Sequence, residues 1–535
     1  MNEEIEEYYE ELYRLYIDEN QPLERRYRQL RESLERVVRE KIQGNSLQTT
    51  DLAARINYVA TQYGLDLKEQ NQLHTFRLTS NDILNHRKSP VKEEFLRDLR
   101  AVAYAYRKMF AQDIPLKLFS VLPKQEIASS GKKEKMEYIR RIRVCFDYAD
   151  DTYLYVHPVD VIADEPIRVV YNKPGINHEF EETIKELWRY AQLNLLDVSV
   201  DRDGIYTPSF IVLEPDYLID ISSLAECYKD YGSHPANYFL SRLVPIDNAR
   251  PLLLGNIANL FLDEWIHAGE EEPDYIDCMK KAFRQYPIEL AACAELRDPS
   301  KEKEFAKDCR MHFEHIRDVV QHTFLEPGYN LDKKEAVLEP SYICEALGIQ
   351  GRLDYMQRDM SSFIEMKSGK ADEFSMQGKV EPKENNKVQM LLYMAVLEYS
   401  MGQDRRRMHP YLLYTRYPLL YPARASWAQV RRVINLRNRI VAAEYGVQFH
   451  NHPDFTRNLL AQINPEVVNE RKLSGRFWEQ YLKPSISRFR EKLSALEPLE
   501  QAYFYTLYNF ITKNFIPPNR EMWIMKDVQG LQLFG

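Results

Sequence analysis

Gly351-Arg352-Leu353-Asp354, then Ile364-Glu365-Met366-Lys367-Ser368-Gly369-Lys370, then Gln389-x-x-x-Tyr393: these three pieces decide how the chain reads. The first two alternate apolar and polar residues, as strands do. The short polar turn Arg358-Asp359-Met360-Ser361-Ser362 between them predicts a hairpin. Side chains alternate faces along a strand. Arg352 and Asp354 therefore share a face, and so do Glu365 and Lys367, while Ile364 and Met366 point into a core. With the polar faces matched, Asp354, Glu365 and Lys367 converge on one point.

Such a grouping has a chemical use. Two carboxylates form a hard oxygen site for Mg²⁺ or Mn²⁺. A bound cation lowers the pKa of a coordinated water and clamps a phosphate oxygen. A lysine beside it orients or deprotonates that water, or stabilises charge on the pentavalent phosphate. The backbone carbonyl of Met366 is a further potential ligand. Gln389 and Tyr393 are four apart and share one helical face, away from the apolar face of Val388, Leu391, Leu392 and Ala395. This polar pair is placed to approach the site and touch a substrate phosphate, and Lys370 adds a cation in the loop after the second strand. The alternative is a hairpin with a solvated polar face.

Outward from this stretch the texture changes in blocks. Residues 1–112 carry helical periodicity, and Asp51 is a candidate helix cap. Residues 113–215 hold short runs rich in Val, Ile, Phe and Tyr, separated by turns such as Asn172-Lys173-Pro174-Gly175, with one helix expected at EETIKELWRYAQ. Helix is expected again over PLLLGNIANLFLDEWI. Strands are expected over ICEALGIQGRLDYM, SSFIEMKS and YLLYTRY, with a helix at KVQMLLYMAVLEY before the last. After Pro422 the chain reads as helical. Asn81 to His86 bears a faint likeness to the Arg-x4-His element of HEPN-type ribonucleases. Arginine is missing from its first position, so the N-terminal helices are expected to be structural.

The set G-R-L-D, I-E-M-K-S-G-K and Q-x-x-x-Y resembles the PD-(D/E)xK nuclease superfamily, and its RecB-like branch above all. That branch includes nuclease modules fused to superfamily-one helicases and the CRISPR-adaptation exonucleases. The motif match runs from Gly351 to Tyr393, and a looser likeness extends over 216–445. The resemblance implies an α/β core, a mixed sheet flanked by helices of the restriction-endonuclease kind. It makes Asp354 and Glu365 metal ligands, Lys367 the catalytic lysine, and Gln389 and Tyr393 the branch's helical motif. The implied cofactor is Mg²⁺ or Mn²⁺. The implied partners are DNA and a helicase acting in trans or in a larger complex, in DNA repair or antiphage defence. Four domains follow: a helical N-terminal domain (1–112), a β-rich domain (113–215), the nuclease core (216–445) and a helical C-terminal region (446–535).

Two departures stand out. The branch usually carries a metal-binding His in a G-x-x-x-H setting, and the matching segment here is Gly255-Asn256-Ile257-Ala258-Asn259. Asn259 stands where the His would be. An amide oxygen binds such metals more weakly than imidazole does. Asp263, one turn on, is a candidate substitute, and Glu289 a candidate support. Asn259 reads equally well as a helix residue without metal contact. Many members also hold a four-cysteine iron–sulfur cluster, but no cysteine follows Cys344, so none is expected. The helical tail after Pro422 is the candidate replacement brace.

Between Asp404 and Ile440 lie nine Arg and one Asp. Arg405, Arg406, Arg407, Arg416, Arg431 and Arg432, interleaved with Tyr411, Tyr414, Tyr417, Tyr421 and Trp427, suit phosphate contact and base stacking. Lys370 joins this candidate nucleic-acid surface. The alternative is a solvated basic helix paired with acidic neighbours. No G-x-x-x-x-G-K-[ST] occurs, so the chain is not expected to be the ATP-driven helicase itself. Its end reads as either one half of a larger architecture or a protein whose motor acts in trans. A non-catalytic DNA-binding or scaffolding subunit on the same fold is the alternative function.

Composition sets outer bounds. The chain has 535 residues, 44% of them apolar and 29% charged, which describes globular protein of several domains. The balance of 72 basic and 81 acidic residues gives −9, which argues against coating nucleic acid by bulk charge. No apolar run long enough for a membrane span occurs, and the acidic, helical N-terminus is unlike a signal peptide. The six scattered cysteines, with no C-x-x-C, fit reduced thiols in the cytoplasm.

Overall fold

A computed structural model of the chain describes residues 3–18, 20–42, 51–123, 137–160, 163, 165–244, 249–372, 381–424, 426–450 and 452–524. The last eleven residues of the C-terminal stretch EMWIMKDVQGLQLFG lie outside the described residues. The fold mixes helix and sheet and divides into two compact units. Unit 1 comprises Met1–Glu214 with Gln448–His450, and unit 2 comprises Pro215–Val447 with Asn451–Gly535.

Unit 1 opens with helices Glu3–Ile17, Leu23–Lys41, Leu52–Tyr63, Leu67–Leu84 and Lys92–Phe110. Local signals set their ends. Asp51 caps the third helix by accepting from the Ala54 amide, and Asp66 with Glu69 forms a capping box on the fourth. Tyr27, Phe76, Phe95 and Tyr106 are fully buried among them. His86, just past the fourth helix, is exposed and lies 3.8 Å from Glu24.

Six strands complete unit 1: β1 (Glu137–Ala149), β2 (Tyr153–Pro158), β3 (Ile167–Val170), β4 (Gln192–Val200), β5 (Ile205–Thr207) and β6 (Phe210–Leu213). Their order is β1-β2-β3-β5-β4-β6, and β1 also pairs with β4. That extra pairing closes β1, β2, β3, β5 and β4 into a ring. All contacts in the ring are antiparallel except β3 with β5. The long β1 makes closure possible, because one half pairs with β2 and the other with β4, with an irregularity between Phe146 and Tyr148. The expected helix EETIKELWRYAQ forms only over Glu181–Lys185. Beyond it the Tyr190 amide donates to Phe146 (2.7 Å) and the Phe146 amide to Ala191 (2.8 Å), so sheet pairing overrides helical pattern.

Unit 2 is built on a five-stranded sheet in the order β14-β13-β12-β11-β8. Its strands are β8 (Ala336–Leu338), β11 (Tyr355–Gln357), β12 (Ser362–Lys367), β13 (His409–Tyr414) and β14 (Leu419–Pro422). β12 and β13 run parallel, joined through the helix Glu384–Met401, and the other pairs are antiparallel. A smaller sheet joins β7 (Ile219–Asp220), β10 (Ile349–Arg352) and β9 (Ser341–Cys344).

Helices cover both faces of the large sheet. Ile364 and Met366 of β12, with Tyr411 and Leu413 of β13, pack against Leu253, Ile257 and Phe261 of the helix Arg250–His267 and Phe313 and Ile316 of the helix Pro299–Gln321. The opposite face carries Glu365, Lys367, Leu412 and Tyr414 and meets the helix Glu384–Met401.

The expected single strand ICEALGIQGRLDYM is instead broken into β9, β10 and β11. Gly348 turns the first break, with φ 65° in the left-handed region. A Cβ there would also collide with the Arg437 guanidinium. The second break, at Leu353–Asp354, passes the chain from the small sheet to the large one. Arg352 therefore does not share a strand face with Asp354. It ends β10, exposed, and pairs with Glu339 at 3.1 Å.

Candidate active site

The hairpin register places Tyr355 opposite Ile364 and Met356 opposite Phe363, so Asp354 enters opposite Glu365. Asp354 Oδ2 accepts the Met366 amide at 2.7 Å, which locks the crossing point to β12. Glu365 is buried, 4% exposed. Its Oε1 accepts from Lys367 Nζ at 2.8 Å and from Gln389 Nε2 at 2.6 Å. Lys367 Nζ also donates to Gln389 Oε1 at 2.8 Å. Tyr393 Oη, one turn further along the helix, donates to the Arg352 carbonyl at 2.5 Å. The five residues Asp354, Glu365, Lys367, Gln389 and Tyr393 are thus brought together by one hairpin and one helix.

Close packing sets this arrangement. A Cβ on Gly351 would lie 3.0 Å from Ile221 Cδ1 and 3.1 Å from Tyr393 Cε1. A Cβ on Gly255 would lie 3.4 Å from Ser368 Oγ, so the helix Arg250–His267 runs close to the end of β12. Asn259 and Asp263 follow Gly255 at four-residue steps on that helix, along the same side. Burial raises the Asp263 pKa to about 6, and the charges of Glu339 and Asp354 push the same way. Asp263 thus feels the charge of Asp354, but no described bond ties it to the cluster. Asn259 is half-buried, and no described bond ties it to the cluster. Glu289 sits on the short helix Pro287–Ala292 without a described bond to the site.

The electrostatics are those of an under-compensated carboxylate pair. Glu365 is raised to about 8, by burial first and by the charge of Asp354 next, against the pull of Lys367 and Gln389. Asp354 is raised as well, by burial first, against the pull of the Met366 amide and Lys367. Burial disfavours charge on Lys367, but Glu365 and Asp354 outweigh it and keep the amine cationic.

Among the described residues no group of three or more His, Cys, Asp and Glu side chains is placed to hold a metal ion. The fit of Mg²⁺ or Mn²⁺ therefore rests on two carboxylates. Glu365 Oε2 is buried without a hydrogen-bond partner, beside Asp354. A bare buried carboxylate oxygen next to a second carboxylate is a cost that a divalent cation removes. Mg²⁺ commonly uses one or two carboxylates and takes its other ligands from water and substrate phosphate. The donor set fits.

Two contributors escaped the sequence reading. Glu339 has φ 48°, its amide donates to the Asp354 carbonyl at 3.1 Å, and its carboxylate holds Arg352. Glu226 accepts from Asn385 at 3.1 Å and supports the charge of Lys367. Neither has a spacing signal, because both reach the cluster through chain crossings rather than along a strand or helix.

The candidate nucleic-acid residues divide into different environments. Arg405 pairs with Glu398 at 2.9 Å and lies over the Trp427 ring at 4.3 Å. Arg416 lies 3.6 Å from Asp308. Arg406, Arg407 and Arg432 are exposed, and Arg431 is half-buried. Lys370 is exposed in the loop after β12. Arg437, in the same run, is 0% exposed and binds the carbonyls of Gly348 and Tyr217, so it is a core residue. Tyr411 and Tyr414 are also buried, with their hydroxyls bonded to Tyr329, and to Lys383 and Asn386.

A cavity of about 340 Å³ lies between β13, β14 and the helix Glu384–Met401, lined by none of the five cluster residues. Glu365, Leu412 and Tyr421 form one cross-strand row, and Leu412 and Tyr421 line that cavity with Lys387 and Arg424. The tail after Pro422 meets the same region. Arg471 pairs with Glu384 at the start of the Gln389 helix, and its amide donates to Tyr231 at 3.1 Å.

Comparison of the chain with known protein families finds no family model that matches, and comparison with curated protein sequences finds no match.

Proposed function

We propose that this chain is a Mg²⁺- or Mn²⁺-dependent DNA nuclease of the PD-(D/E)xK type, related to the RecB-like branch and hydrolysing phosphodiester bonds. The observation that carries this reading is Glu365. One of its oxygens is fixed by Lys367 and Gln389, and the other is buried, unpartnered and beside Asp354. The five-stranded mixed sheet with helices on both faces supports a restriction-endonuclease-like core. A place in DNA repair or antiphage defence, with a helicase partner, follows from the motif resemblance. The six buried free thiols suit a cytoplasmic protein.

In this reading Asp354 and Glu365 hold the cation, with the Met366 carbonyl and Asp263 as candidate further ligands. The cation supplies Lewis acidity and an acidified water. The rest is positioning by the chain. Gln389 fixes the Glu365 rotamer and the Lys367 amine together. Lys367 presents a fixed positive charge where negative charge develops on phosphate oxygens. Tyr393 pins the Arg352 carbonyl and so the turn that carries Asp354. The exposed Arg406, Arg407 and Arg432 supply phosphate contacts.

A second reading is a non-catalytic DNA-binding subunit on the same fold. Asn259 in place of His and the absence of a three-ligand group among the described residues favour it. Gel-shift and cleavage assays on one labelled DNA, with and without Mn²⁺, separate the two. The nuclease reading expects cleavage by the native chain and binding without cleavage by Asp354→Ala. Binding without cleavage by both proteins would establish the second reading.

A further inference from the structure

The ring of strands in unit 1 carries an outward row of side chains that no catalytic role uses. Tyr148 of β1 pairs with Tyr155 of β2, and Tyr155 pairs with Arg168 of β3. Paired residues in adjacent strands project to the same side. Inward neighbours confirm the direction, since Leu154, Val156 and Val169 are buried. The Tyr148 and Tyr155 rings stack at 4.3 Å with planes 12° apart. Tyr153, two residues before Tyr155, stands edge-on to it at 6.5 Å. The Arg168 guanidinium lies 5.8 Å from the Tyr153 ring. Tyr148 is 50% exposed.

A buried pair of tyrosines explains itself by packing, but this row lies on the water side of the sheet. The local acid is spent on architecture. Asp150 accepts the Thr152 and Tyr153 amides at 2.8 and 2.7 Å and the Tyr155 hydroxyl at 3.0 Å. It thereby fixes the hairpin and orients the Tyr155 ring. Arg168 makes a bond to the Asp203 carbonyl at 3.3 Å and no ion pair among the described residues. Flat aromatic faces, pre-oriented and flanked by an unneutralised guanidinium, match the chemistry of an unpaired nucleic-acid strand. Bases stack on the rings and phosphate meets the cation.

We propose that the Tyr148–Tyr155–Arg168 face, with Tyr153, binds single-stranded nucleic acid without sequence preference. This site stands apart from the nuclease reading and does not depend on it. The test uses the full chain in EDTA, which prevents metal-dependent turnover. Fluorescence anisotropy reads the affinity for labelled oligo(dT), oligo(rU) and a duplex. Photocrosslinking with an iodouracil oligonucleotide reads the contact residues.

Oligo(dT) should bind more tightly than duplex and crosslink to Tyr148 or Tyr155. Tyr148→Ala and Tyr155→Ala should each weaken binding about tenfold, the scale of one lost base stack. Tyr155→Phe keeps the ring and should bind like the native chain. Oligo(rU) binding of equal strength extends the site to RNA, and much weaker binding restricts it to DNA. The proposal is overturned if the double variant Tyr148→Ala/Tyr155→Ala keeps its melting temperature and its full affinity for oligo(dT). It is equally overturned if crosslinks fall only in unit 2, or if the native chain binds no single strand. Cleavage assays read unit 2 alone, so failure of one reading leaves the other measurable.

Discussion

Glu365 holds a proton that the unfolded chain would release. Its folded pKa is raised from 4.5 to about 8 by burial and by Asp354. The stability this gives is present below 4.5 and is lost as pH rises through about 8. The metal-free protein should therefore lose melting temperature across that window, and Glu365→Gln should flatten the loss. Mn²⁺ should raise the melting temperature of the native chain more at the alkaline end, because the cation takes the deprotonated carboxylate. A thermal-shift series across pH, with and without Mn²⁺, checks both signs. A second outcome belongs to Gly351. Its α-hydrogen lies against Ile221 and Tyr393, so Gly351→Ala should cost about 1–3 kcal/mol by crowding. Urea unfolding measures that cost, and the same variant should displace Tyr393 from the Arg352 carbonyl.

The elements show which parts of this arrangement were legible in sequence. Strand alternation in Ile364-Glu365-Met366-Lys367 gave the correct faces, since Ile364 and Met366 do enter the core while Glu365 and Lys367 meet the Gln389 helix. A spacing of four put Gln389 and Tyr393 on one helical face, and both reach the cluster. Arg352 was misread because one apparent strand is three, with a sheet change between Arg352 and Tyr355. Alternation holds only within a strand, so the parity argument fails across that break. Arg437, one of the nine arginines of the 404–440 run, is instead buried and donates to the carbonyls of Gly348 and Tyr217, which arginine content alone does not reveal. Arg437→Ala should remove these buried donors and cost about 1–3 kcal/mol, measured by denaturation. The ring closure in unit 1 was not legible at all, because it depends on β1 pairing with a strand some fifty residues later.

At the scale of the whole molecule, the net charge of −9 and any grip on nucleic acid are reconciled by position. Arg406, Arg407, Arg424 and Arg432 are exposed and make no ion pair among the described residues, while Arg405 and Arg416 already face Glu398 and Asp308. DNA binding should therefore weaken with added salt, with a modest slope. Arg432→Ala should lower that slope by about one, read from affinities over a salt series. Arg437→Ala, compared at a temperature where it is folded, should leave the slope unchanged.

The proposed function assigns the breaking of phosphodiester bonds to Asp354, Glu365 and Lys367. Single-turnover cleavage of end-labelled single- and double-stranded DNA, with Mg²⁺ and with Mn²⁺, tests it most directly. The native chain should cleave only with metal, and Lys367→Ala, folded and DNA-bound, should be slower by about 100-fold or more. Equal cleavage by the native chain and Lys367→Ala, or none by the native chain under any metal, would contradict the account.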